Sequence, residues 1–154
     1  MVFSGLDKKY QDLLLAAQTA MGRAYAPYSN FYVGAALLAQ DGKIIPGANF
    51  ENASFGLTIC AERSAVFNAN MAGYRLFSAF AIIARHKDFD TVDITGPCGA
   101  CRQVLCEVRE LSDCNLVGIL STTKMDKIEL VTLDDLLPKS FGPAKLGVDL
   151  SKWR

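Results

Sequence analysis

Apolar residues recur at spacings of three and four from Leu6 through Tyr10, Leu13, Ala17 and Met21 to Ala24. This periodicity predicts an amphipathic helix over residues 5–25, with Ser4 and Asp7 as an S-x-x-D start signal. The segment APYSNFY breaks the pattern. The apolar run VGAALLAQ, the turn pair Asp41-Gly42 and the extended stretch KIIPGANFEN then predict a β-hairpin. TICAERSAVFNANMAG carries Ala61, Ala65, Ala69 and Ala72 at helical spacing and stops at Gly73, a residue suited to a left-handed helix end. FSAFAIIARH is nearly continuous in apolar residues, as in a strand covered on both faces. In PCGACRQVLCEVREL, Val104, Val108 and Leu111 share a helical face, and Pro97 stands where proline is tolerated near a helix start. NLVGILS and KIELVTL predict two further strands, and TLDDLL a short helix closed by Pro138. The order β-β-α-β-α-β-β describes a mixed sheet with helices packed on its faces.

Composition narrows the function. With 154 residues, 51% of them hydrophobic, residues 1–154 are expected to form one domain around a sizeable core. Lysine and arginine (16) balance aspartate and glutamate (16), and no basic block is present to follow a phosphate backbone or a membrane surface. The expected partner is therefore a small molecule, with no nucleic acid and no membrane. No stretch reaches the roughly 18–20 apolar residues that span a bilayer, and MVFSGLDKKY has no apolar leader segment, so a soluble cytoplasmic protein is expected. Five cysteines with a C-x-x-C at 98–101 suit a metal or redox site in a reducing compartment better than a disulfide framework.

Three cysteines and a glutamate stand at predicted helix starts. Cys98 and Cys101 lie three apart, so on a first helical turn both sulfurs face one side and can reach one metal ion. Cys60 heads the other helix, and if it sits at the helix edge Glu62 can lean toward the same centre. Both helix N-termini would favour thiolates there, and Arg63 would offset the net negative charge of three thiolates around Zn²⁺. The C-x-x-C pair taken alone fits a redox couple or plain packing equally well. Cys106 and Cys114 are too far along the helix to serve as a fourth ligand, and His86 is the remaining competitor. Three protein ligands with an open fourth position is the catalytic pattern of zinc.

Cys60-Ala61-Glu62 followed by Pro97-Cys98-Gly99-Ala100-Cys101 is the cysteine-ligated form of the zinc-deaminase signature. PYSNFYVGAAL, GANFENASFGLTICAERSA, GPCGACRQVL and LLPKSFGP follow in the order of family blocks, and the chain resembles the small homotetrameric cytidine deaminases over most of its length. The resemblance implies a three-layer α/β/α fold with a five-stranded mixed sheet. It further implies one Zn²⁺ per subunit held by Cys60, Cys98 and Cys101, whose bound hydroxide attacks C4 while Glu62 shuttles protons. Cytidine and 2′-deoxycytidine would become uridine and 2′-deoxyuridine, in pyrimidine salvage.

By the same resemblance Asn49 and Glu51 grip the ribose, Phe31 contacts the pyrimidine, Phe141 reaches it from a neighbouring subunit, and Ala61 is a further substrate-binding residue. Read without the family, Asn49 and Glu51 would merely cap a strand-to-helix turn, and Phe31 and Phe141 would be core. Phe55 stands where many tetrameric relatives carry tyrosine, removing a hydroxyl that approaches the sugar. The tail AKLGVDLSKWR has no family counterpart. Alternative readings are deamination of another cytosine-bearing molecule, editing of polynucleotides, which lacks a basic groove here, and a non-catalytic zinc domain with four protein ligands.

Overall fold

The structure is a computed structural model describing residues 1–154. Helix α1 (Lys8–Met21) leads into strands β1 (Phe31–Ala39) and β2 (Ile44–Ala48), then helix α2 (Ala61–Met71), strand β3 (Phe77–His86), helix α3 (Gly99–Ser112), strands β4 (Val117–Ser121) and β5 (Ile128–Thr132), and the short helix α4 (Leu133–Leu136). The five strands form one sheet in the order β2-β1-β3-β4-β5, parallel only between β3 and β4. The mixed sheet expected from the sequence is present. Helix α1 covers one face, and α2 and α3 cover the other.

Alternation along the strands assigns side chains to the two faces. Ala35, Leu37, Phe80 and Ile82 join the core beneath α2 and α3. Ala36, Leu38, Ala79, Ala81 and Ile83 join the core beneath α1. Near-continuous burial of β3 follows from this double cover. The hairpin turns at Gly42, whose φ of 94° lies in the left-handed region that glycine enters at no steric cost.

Small residues set how closely α2 approaches the sheet. Ala61, Ala65 and Ala69 are fully buried along its inner face. Opposite them, a Cβ placed on Gly47 of β2 would fall 2.5 Å from the Ala61 carbonyl oxygen and closer still to the Ala65 nitrogen. The glycine therefore fixes the depth of the helix turn that carries Glu62.

Two sequence expectations are corrected. Helix α1 begins at Lys8, because residues Phe3–Gly5 form a separate 3-10 turn and Asp7 takes the cap position. Its C-terminus comes at Met21, so Ala24 lies outside. The buried stripe of α3 is Cys101, Leu105, Val108 and Ser112; Val104 and Leu111 are only half-buried at its margin. Pro97 precedes the cap residue Cys98, near the start of α3 as expected.

Candidate metal and deaminase site

Cysteine is the cap residue of both helices that meet at the site. Cys60 has extended dihedrals ahead of α2 and Cys98 has the same ahead of α3, and neither helix start has a side-chain cap hydrogen bond. A serine or aspartate at these positions would turn its oxygen back onto the helix amides. Sulfur is a weaker acceptor, so the first-turn N–H groups keep their positive field and the sulfurs stay available to another partner. Cys101 follows in the first turn of α3 and is buried, Cys60 is half-buried, and Cys98 is exposed.

The three sulfurs lie within 4.8 Å of one another, with Cys60 Sγ and Cys98 Sγ 3.9 Å apart. Tetrahedral Zn–S bonds of about 2.3 Å require sulfurs about 3.8 Å apart, so the cluster fits zinc with only a slight contraction. Four-ligand closure does not occur within the chain. Cys106 Sγ faces the Phe141 carbonyl, Cys114 Sγ donates to the Phe77 carbonyl, and the His86 ring stacks on Phe89 with Nδ1 accepting from the Asp88 N–H.

Electrostatics at the sulfurs favours a thiolate. Hydrogen bonding from Cys101, aided by Arg63 and Cys98, outweighs burial and lowers the Cys60 pKa to about 5. Cys101, which donates into that bond from a buried position, is pushed up. Arg63 Nη2 donates to the Thr58 carbonyl at 3.0 Å and to Cys60 Sγ at 3.7 Å, tying the guanidinium to the cluster. Its buried Nε has no acceptor within the chain.

Glu62 is buried in the first turn of α2. Burial first, and then the negative charge of Cys60, raise its pKa. A carboxyl whose pKa is raised beside a metal site is suited both to accept and to return a proton.

The remaining residues form a rim. Asn49 and Glu51 lie beyond the end of β2, in an irregular segment whose Phe50 bridges Tyr25 and Ile59. Asn49 Oδ1 accepts from the Val33 N–H at 2.9 Å and its Nδ2 donates to the Phe31 carbonyl at 3.0 Å. Glu51 accepts from the Tyr28 and Ser29 N–H groups and from the Ser29 hydroxyl. Burial alone would raise its pKa, but those three donors together lower it. Both side chains thus clamp residues 28–33, which present Phe31, rather than cap the turn into α2. Phe31 is half-buried at the start of β1, and Ala61 faces the sheet, fully buried. Phe141 is exposed by 61% and Phe55 by 72%.

Sequence reasoning passed over Arg102 and Gln103, which follow Cys101 directly. Their donors reach the carbonyls of Pro97, Leu136 and Phe141. The sequence signal was their adjacency to a metal-type C-x-x-C.

Comparison with known proteins agrees with this geometry. The family model described as "Cytidine and deoxycytidylate deaminase zinc-binding region" matches residues 7–116. The chain is 46% identical to the cytidine deaminase of Halalkalibacterium halodurans over 131 residues, covering 85% of this chain and 92% of the relative. It is 42% identical to that of Sporosarcina psychrophila over 137 residues, covering 88% and 93%. Among solved structures, the cytidine deaminase of Burkholderia pseudomallei superposes with a TM-score of 0.76 at 45% identity, covering 86% of this chain and 98% of that one. That of Mycobacterium tuberculosis does so with a TM-score of 0.72 at 37% identity, covering 88% and 99%. The fold and the three-sulfur site define a zinc-dependent deaminase class, and the chain belongs to the cytidine and deoxycytidylate deaminase family. Its cofactor is zinc. No helix is long and apolar enough to cross a membrane.

Proposed function

We propose that this single domain, residues 1–154, hydrolyses cytidine and 2′-deoxycytidine to uridine and 2′-deoxyuridine with release of ammonia. The observation that carries the reading is the buried Glu62, its pKa raised, beside three sulfurs spaced for zinc. Cys60, Cys98 and Cys101 would hold the zinc, which when bound would supply an acidified water for attack at C4 of the cytosine ring. Glu62 accepts the proton that this water loses, returns it to ring N3, and then assists departure of the C4 amine. Arg63 offsets thiolate charge, so the metal keeps its power to acidify water.

Phe31 lines the base, the fully buried Ala61 backs it, and Asn49 and Glu51 receive the ribose hydroxyls. Asn49 keeps one amide hydrogen and Glu51 one lone pair beyond their internal bonds. A site built on such groups rejects an analogue that lacks the 3′-hydroxyl, which cytidine and 2′-deoxycytidine share. The exposure of Phe55 and Phe141 supports a homotetramer in which each subunit closes its neighbour's site. Neutral charge and the absence of a basic groove fit a free nucleoside in cytoplasmic pyrimidine salvage. The test is a substrate panel for the zinc-loaded protein: cytidine, 2′-deoxycytidine, free cytosine and a cytosine oligonucleotide. Turnover of both nucleosides is expected; turnover confined to the base or the oligonucleotide overturns the reading.

A further inference from the structure

Arg102 lies in the first turns of α3, immediately after Cys101, and is half-buried. Its Nε donates to the Pro97 carbonyl oxygen at 2.8 Å, and its Nη1 donates to the Leu136 carbonyl oxygen at 2.9 Å. Pro97 is buried and precedes Cys98, so the first bond fixes the peptide from which one metal-type sulfur hangs. Leu136 is the last residue of α4, and its carbonyl belongs to the helix-end groups that find no partner inside the helix.

The same flank of α3 holds the chain beyond α4. Gln103 Nε2 donates to the Phe141 carbonyl at 2.8 Å. Arg109 pairs with Asp134 and donates to the Ser140 hydroxyl oxygen at 3.1 Å. Residues 134–141 are therefore a strap pinned along α3 by three side chains. Of the three, Arg102 alone also grips the residue next to a metal-type cysteine.

We propose that Arg102 is a positioning residue that joins the zinc end of α3 to the strap carrying Phe141, so that metal retention and nucleoside binding share one support. A guanidinium holds its donors in a fixed planar fork and spans two carbonyls on different elements; an ammonium is a point donor on a flexible stem. The zinc half of this inference stands on the sulfur geometry, and the Phe141 half rests on the nucleoside reading above.

The test takes two readouts on the zinc-loaded protein: the rate of zinc loss to a colorimetric chelator, and KM and kcat for cytidine. Arg102→Met is expected to lose zinc at least about tenfold faster, the scale on which groups supporting metal ligands act, and to raise KM more than it lowers kcat. Gln103→Ala is expected to raise KM while zinc leaves at the wild-type rate. Arg102→Lys, which keeps the charge and reaches one carbonyl, is expected to fall between Arg102→Met and wild type, and it carries the test if Arg102→Met does not fold. Wild-type zinc loss and KM in the Arg102 variants overturn the proposal. So does a Gln103→Ala protein that sheds zinc as fast as Arg102→Met. Should the wild-type protein leave cytidine untouched, the nucleoside reading falls, and the zinc-loss comparison still decides whether Arg102 supports the metal end.

Discussion

At the metal end, three sulfurs from two helix starts lie within 4.8 Å of one another inside one chain, and Glu62 is buried against them. At the proposed nucleoside end, Asn49 and Glu51 are already engaged with residues 28–33, and Phe55 and Phe141 face solvent. The first region is complete in the lone chain because its parts are short side chains on the first turns of rigid helices. The second depends on loops, and loops need either internal clamps or neighbours to hold a shape. Chemistry and affinity in this fold are therefore expected to be separable, and substitutions should sort by region.

Glu62→Gln should show the largest effect. The variant is expected to keep its zinc while turnover falls by about 10²–10⁴-fold, read from uridine formation and metal content on the same sample. Full activity would remove Glu62 from the proton path.

Gly47→Val acts on the support of the metal end rather than its chemistry. The new side chain meets the Ala61 carbonyl and the Ala65 nitrogen, and overpacking of this kind costs about 1–3 kcal/mol. A lower Tm together with reduced kcat is expected, because the displaced turn carries Glu62. An unchanged Tm would show that α2 does not rest on this glycine.

Glu51 gives the nucleoside end a pH signature. Its carboxylate is held below the ordinary value of 4.5 by the Ser29 and Tyr28 donors, against burial. The stability it contributes is therefore complete above that value and is lost as pH falls through the lower folded-state pKa. Wild-type Tm should fall more steeply with acid below pH 4.5 than the Tm of Glu51→Gln. Parallel curves would mean that the 28–33 segment does not depend on this charge.

The smallest effect belongs to Phe55→Tyr. The ring already meets Tyr28 edge-on at 5.6 Å, and the added hydroxyl offers one hydrogen bond worth about 0.5–1.5 kcal/mol. A few-fold lower KM for cytidine with unchanged zinc content is expected, and unchanged KM would separate Phe55 from the sugar.

The same division governs what could be read from the sequence. The β-hairpin, the buried β3 and both site helices were legible because period and turn chemistry are local signals. So were Cys60, Glu62, Cys98 and Cys101, whose spacings are short and whose residue types are unusual at helix starts. The start of α1 was misplaced because Ser4 falls inside a separate 3-10 turn while Asp7 alone takes the cap position of the helix. The roles of Arg102, Gln103, Asn49 and Glu51 were not legible in position alone. Each bonds to the backbone of a distant segment, as Gln103 does to Phe141 across 38 positions, and a backbone carbonyl leaves no mark in the sequence.

The central claim is that zinc at Cys60, Cys98 and Cys101 drives hydrolysis of cytidine. The most direct measurement follows ammonia and uridine from cytidine with the protein as purified, after chelation, and after zinc is restored. Equal amounts of both products, loss of turnover on chelation, and recovery at about one zinc per chain are expected. Turnover that survives complete removal of metal from folded protein would contradict that claim.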